Sequence, residues 1–155
     1  MPDKYSIREE TDMWGNSRTV VRRDLTAADV AGGLAAGVGM VVDANRRAAL
    51  KAATNSAKAT EVYLDKGDYH QAIISADSLI GMSDKEAQTA GHYFKASALT
   101  QLQRYDEAIK EFTTAIDMAN ALNQIQALAI AFIGRGTCYY EKNDLGAAIR
   151  DFTSY

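Results

Sequence analysis

The residues of this chain best suited to chemistry are two histidines, His70 and His92, one cysteine, Cys138, and the adjacent carboxylates Asp106 and Glu107. The histidines do not share a His-x-x-x-His spacing and Cys138 has no second thiol, so neither a metal site nor an internal disulfide is expected. Absence of disulfide cysteines points to a reducing compartment, and a cytoplasmic location is expected. Asp106-Glu107 could suggest paired acid–base catalysts. At the start of a helix, however, two carboxylates are explained by attraction to the positive end of the helix dipole. Gly32, Gly33, Gly37 and Gly39 match neither a phosphate loop nor the G-x-G-x-x-G fingerprint. We therefore expect no catalytic residues, no cofactor and no metal. His70 and His92 read as surface or groove residues, and Cys138 as a buried, inert filler.

With no catalytic constellation to position, the elements themselves carry the information. The only proline is Pro2, so nothing downstream interrupts a helix by removing an amide donor. Alanine is abundant while Trp and Phe are sparse, which favours closely packed helices over a sheet. The net charge of −3 hides an asymmetry: residues 1–58 carry 9 Lys/Arg against 7 Asp/Glu, and residues 59–155 carry 8 against 13. A weakly acidic helical array binds nucleic acid poorly, because phosphate contacts need clustered cations. The basic doublets Arg22-Arg23 and Arg46-Arg47 read as solvated faces. The N-terminal residues lack the apolar run of a secretory signal. The longest run free of charged and polar side chains, Val30 to Val42, has 13 residues. A membrane-spanning helix needs about 20, so no transmembrane segment is expected.

Three segments align without gaps on an aromatic-or-Leu-x-x-Ala core: Tyr69–Ile73, Tyr105–Ile109 and Leu145–Ile149. Their anchoring alanines, Ala72, Ala108 and Ala148, are spaced by 36 and then 40 residues. After the second anchor, Tyr105, Ala108, Ile109, Phe112, Ala115, Ile116 and Ala119 form one apolar stripe at the helical period. The third segment repeats it as Leu145, Ala148, Ile149 and Phe152, and the first as Tyr69, Ala72, Ile73, Ala76, Leu79 and Ile80. A preceding helix supplies the other half of each pair: Gly136 with Tyr139 and Tyr140 in the third, Tyr93, Ala96 and Leu99 in the second, Thr60 and Tyr63 in the first. Ser83-Asp84-Lys85-Glu86 reads as a capping box, and Asn143 or Asp144 as the cap of the last helix.

This pattern resembles the tetratricopeptide repeat, a helix–turn–helix unit of about 34 residues. The resemblance covers roughly residues 55–155 and departs from the family pattern in lacking its terminal proline. The last helix stops near Tyr155 with Leu145, Ile149, Phe152 and Tyr155 on its stripe. An open solenoid end wants a cover, so truncation, self-association at that end and a short frayed helix all stay open.

Residues 1–25 alternate loosely and read as a β-hairpin or an extended arm. A two-residue turn with Gly15 at positive φ would set Glu9 opposite Arg22. Residues 26–53 read as a Gly/Ala-rich capping helix with Val30, Leu34, Val38 and Val41 on one stripe. The Gly33-x-x-x-Gly37 spacing there permits a close helix contact. Residues 54–155 hold the repeats. The expected fold class is all-α, an antiparallel helical-hairpin solenoid.

What the resemblance implies about function is a non-enzymatic adaptor or scaffold, holding a peptide or helix in a groove lined by the first helix of each unit. Carried over position by position, that groove comprises Glu61, Leu64 and Asp65, then Tyr93, Ser97, Thr100 and Gln101, then Ile133, Thr137, Tyr140 and Glu141. Positions where some members of the family clamp a C-terminal carboxylate hold Ala57, Glu61, Tyr93 and Ser97 here, which disfavours that ligand. The acidic residues favour a neutral to basic protein segment. The alternatives are a self-assembling structural protein, a homo-oligomer through the Gly-rich helix or the C-terminal helix, and a regulatory part of a larger protein.

Overall fold

The structure is a computed structural model that describes the backbone over residues 5–11, 17–23 and 27–154 and the side chains over residues 44–154. Its contacts divide the chain into two units, residues 1–46 and 47–155.

In the first unit, β1 (Tyr5–Thr11) pairs antiparallel with β2 (Ser17–Arg23). A hairpin forms, but not in the expected register. Glu9 lies opposite Thr19 and Arg22 opposite Ser6, so the expected Glu9–Arg22 pair is not made. A turn closed at Gly15-Asn16 would set Ile7 across from Asp24, a poor strand residue. The register that forms sets Ile7 across from Val21 and Glu10 across from Arg18, with residues 12–16 left between the strands. The positive φ expected at Gly15 falls outside the described residues.

Helix α1 (Ala27–Asp65) runs unbroken for 39 residues. The Gly/Ala-rich helix and the first helix of the repeats, expected as separate segments meeting at 53/54, are thus one element. It continues through Gly32, Gly33, Gly37 and Gly39, although each costs about 1 kcal/mol against alanine. What those glycines pack against falls outside the described side chains.

In the second unit α1 is followed by α2 (Tyr69–Ile80), α3 (Lys85–Gln101), α4 (Tyr105–Ala121), α5 (Ile125–Glu141) and α6 (Leu145–Thr153). From α2 onward each helix packs on the next, and α3 also touches α5. Thr60 on α1 donates to Ser75 Oγ on α2 at 2.8 Å, so the second unit consists of the hairpins α1–α2, α3–α4 and α5–α6. The described repeat region is all-α, a solenoid of antiparallel helical hairpins.

Four of the five connections share one backbone device. After α1, α3, α4 and α5 a single residue takes positive φ: Gly67, Gln103, Asn123 and Asn143. The amide of the following residue then reaches back to the carbonyl five positions earlier, as in Asp68 N to Tyr63 O and Asp144 N to Tyr139 O, both 2.9 Å. This satisfies carbonyls that the helix end would leave orphaned. The same following residue opens the next helix: Asp68 accepts from Gln71 N and Asp144 from Ala147 N. The last helix is therefore capped by Asp144, while Asn143 serves the turn. At α3 the cap is Asp84, accepting from Ala87 N at 2.8 Å, rather than the Ser83 of the expected capping box. A carboxylate makes the stronger, charge-assisted bond and starts the helix one residue later.

The core is built of small residues. Ala72, Ala76, Ala96, Ala98, Ala108 and Ala119 are fully buried, and the largest fully buried side chains are Phe112 and Leu79. One cluster gathers Ala96, Leu99, Phe112, Ile116, Ala131 and Cys138 between α3, α4 and α5. The other joins Ala53, Leu79 and Ala87 across α1, α2 and α3. Helix spacing explains the unequal repeat distances: α2 has 12 residues where α4 has 17, and its connection to α3 is one residue longer than that from α4 to α5.

Candidate partner-binding face

The helices are tied at a recurring polar position. Lys95 on α3 reaches Asp77 on α2 at 2.9 Å and Glu111 on α4 at 3.5 Å. Forty residues later along both helices, Arg135 on α5 makes a two-pronged bond to Asp151 on α6, at 2.7 and 2.8 Å. Arg135 also donates to Thr113 on α4 and lies over the Phe132 ring. In the first hairpin the uncharged Thr60–Ser75 pair ties α1 to α2. His92 belongs to this network, its Nδ1 2.7 Å from Glu111 Oε2, so it is a half-buried link between α3 and α4. His70 is exposed. Neither is among the residues that line the hollows between α1, α3 and α5.

With these groups committed to holding helices together, the open face is the one shared by α1, α3 and α5. Two hollows meet there. The larger, about 820 Å³, is bordered by Glu61 from α1, by Glu86, Tyr93 and Phe94 from α3 and by Ile130 from α5. The smaller, about 250 Å³, runs on towards the C-terminal ends of α3 and α5. Tyr93 and Ile130 line both. Tyr93 is held by tilted ring contacts with Phe94 at 5.6 Å and Phe112 at 5.9 Å, so the floor is set by the core.

Of the residues expected in the groove, Glu61 and Tyr93 line the larger hollow. Tyr93, Ser97, Thr100, Gln101, Ile133 and Thr137 line the smaller. Leu64 and Asp65 at the end of α1, and Tyr140 and Glu141 at the end of α5, border neither. Sequence reasoning missed Glu86, Ala90 and Phe94 on α3 and Gln126 and Ile130 on α5. The helical period would have found all of them but Phe94. Stepping back from Tyr93 by three and seven residues gives Ala90 and Glu86, and the same steps from Ile133 give Ile130 and Gln126.

The hydroxyls on this face are turned inward as donors. Ser97 donates to Tyr93 O at 3.0 Å, Thr137 to Ile133 O at 2.9 Å and Thr100 to Ala96 O at 2.9 Å. Their remaining capacity is as acceptors. Cys138 lies beneath, fully buried, with Sγ 3.2 Å from Thr100 Oγ1. Burial pushes its thiol above the ordinary range, against a smaller opposing effect of Thr100, so it stays protonated and unreactive. Asp106 and Glu107 sit in the first turn of α4, ion-paired with Lys142 and Arg104 respectively. The Arg104 guanidinium holds Glu107 below the usual carboxylate range. Among the described residues no three His, Cys, Asp or Glu side chains gather as a metal site would need, and no helix is long and apolar enough to cross a membrane.

Residues 90–122, most of α3 and α4 with the cap of α4, match the family model of the tetratricopeptide repeat. Comparison with curated proteins and with solved structures gave no match. The matched segment is the second of the hairpins that share a turn geometry and a polar link, and repeats of this family generally mediate protein–protein interaction. The chain thus contains a tetratricopeptide repeat, formed by α3 and α4.

Proposed function

We propose that the α1–α3–α5 face binds a segment of a partner protein, making the chain a non-enzymatic adaptor or scaffold that acts in the cytoplasm. The observation that carries this reading is the pair of adjoining hollows with an aromatic floor. Their combined size suits a few side chains of a peptide or helix. The two face residues Ile130 and Ile133 are 45% and 53% exposed, apolar surface that a partner would cover. A neutral to basic segment suits the acidic border. In this proposal residues 54–155 are the binding part, and the arm (residues 1–25) and the Gly/Ala-rich segment (26–53) take no part in binding.

The test replaces both isoleucines by alanine. Because they are half exposed, Ile130→Ala with Ile133→Ala should leave the circular dichroism and melting temperature close to wild type. Proteins captured from native cell extract by the wild type should be lost. Equal capture by a folded double variant would place the binding face elsewhere.

A second reading rests on a different observation. Leu145, Ile149 and Phe152 on α6 are 50%, 61% and 45% exposed. They stand forty residues after Tyr105, Ile109 and Phe112, whose stripe packs into the core beneath α5. Self-association through α6 would cover them. Light scattering across a concentration series checks it: a strict monomer at high concentration excludes this reading.

A further inference from the structure

The geometry points to a specific chemistry for the partner: a Lys or Arg side chain next to an apolar residue, seated in the larger hollow between α1, α3 and α5. The inference rests on the reading that this face binds protein, and names what it selects.

Two observations converge. First, the hollow is bordered by two carboxylates, Glu61 and Glu86, and no Lys, Arg or His is among the described residues that line it. Neither carboxylate is in an ion pair, whereas the charges that tie the helices are paired, as in Lys95–Asp77, Arg135–Asp151 and Lys142–Asp106. Unneutralised acids beside an apolar hollow favour a cationic occupant over a neutral one. Second, the floor presents the Tyr93 and Phe94 rings, tilted at 59° to one another. Aromatic faces attract a guanidinium or ammonium group, more often arginine, and simultaneously suit an apolar neighbour.

The smaller hollow carries no charged side chain among its described lining residues. The two hollows therefore order the ligand. The cation lies towards the N-terminal ends of α3 and α5, and an uncharged side chain lies towards their C-terminal ends.

The experiment is a selection of displayed random 12-residue peptides on the full chain, repeated on three folded variants: Glu61→Gln with Glu86→Gln, Glu61→Lys with Glu86→Lys, and Ile130→Ala with Ile133→Ala. Peptides enriched by the wild type should pair Arg or Lys with an adjacent Leu, Ile, Phe, Tyr or Met. As synthetic peptides they should bind the double glutamine variant about tenfold more weakly. The double lysine variant should enrich Asp or Glu instead. Wild-type binding should weaken as salt is raised from low to high, which tests the charge term without any substitution. Enriched peptides without cation bias, or with equal affinity for the glutamine variant and no salt dependence, overturn the cation assignment. If those peptides still require Ile130 and Ile133, the binding face survives that failure. Peptides indifferent to the isoleucines, or no enrichment at all, overturn both.

Discussion

A methyl group at position 91 would meet Ala76 O and Ile80 N, each at 2.9 Å, because α3 crosses the backbone of α2 there. Backbone cannot rotate away, so Gly91→Ala should destabilise the chain by about 1–3 kcal/mol, read as a fall in the urea midpoint with unchanged slope. Gly134 is fitted in the same way against the Phe112 ring, whose Cζ would lie 2.4 Å from an added Cβ. Cys138 is the other residue whose environment makes a checkable claim. Its folded-state pKa is raised by burial, so its contribution to stability is fully present below the free-thiol value of about 8.5 and is lost as pH rises through the folded value. The stability advantage of wild type over Cys138→Ala should therefore shrink across that alkaline window in denaturant titrations. An advantage that stays constant with pH would mean the thiol titrates freely.

Between residue and fold stand the turns and the polar ties. Glycine or asparagine takes the left-handed position at 67, 123 and 143, but Gln103 occupies it with φ of 59°. A residue with a Cβ and no local hydrogen-bonding advantage is strained there, by about 1–2 kcal/mol. Gln103→Gly should raise stability by roughly 0.5–1 kcal/mol after the entropy of glycine is discounted, seen as a melting temperature a few degrees higher. The Lys95–Glu111 and Arg135–Asp151 ties occupy equivalent positions forty residues apart. The second differs in being nearly dry, with the two side chains only 17% and 7% exposed. Arg135→Met would strand the Asp151 carboxylate at a cost of about 3–5 kcal/mol, while adding Asp151→Leu should recover most of it. A double variant no better than the single would assign the loss to packing of the arginine stem.

For the molecule as a whole, hairpins packed on their neighbours make stability local. Amide exchange in Arg135→Met should accelerate over α5 and α6 and change little over α2, because a repeat array transmits loss mainly through its next interface. An even acceleration over residues 47–155 would mean that α3–α5 packing welds the unit into one cooperative block. The same organisation explains how much of the fold could be read in advance. Tyr69, Tyr105 and Leu145 each begin a helix, and Ala72, Ala108 and Ala148 are all buried, because a stripe at the helical period and a small residue at a close crossing are local properties of the chain. The hairpin register was not legible in the same way. It depends on which of several competing pairings leaves Ile7 facing Val21, and turn residues alone favoured another.

The candidate site was legible only along part of each helix. Tyr93, Ser97, Ile133 and Thr137 follow from repeat equivalence and Glu86 from the helical period, but Phe94 became part of a site only when α1, α3 and α5 were placed side by side. Tyr140 and Glu141 have the same periodicity as the lining residues, yet stand past the end of both hollows. By itself the sequence determined the repeating hairpins, their anchors and the class of turn between them, since each is set by residues within a few turns of one another. Only the tertiary structure decided that α1 is continuous, that His92 and Lys95 are spent on ties between helices, and that Glu61 and Glu86 border one hollow. Those outcomes depend on distances between residues far apart in the chain, which no local pattern of types encodes.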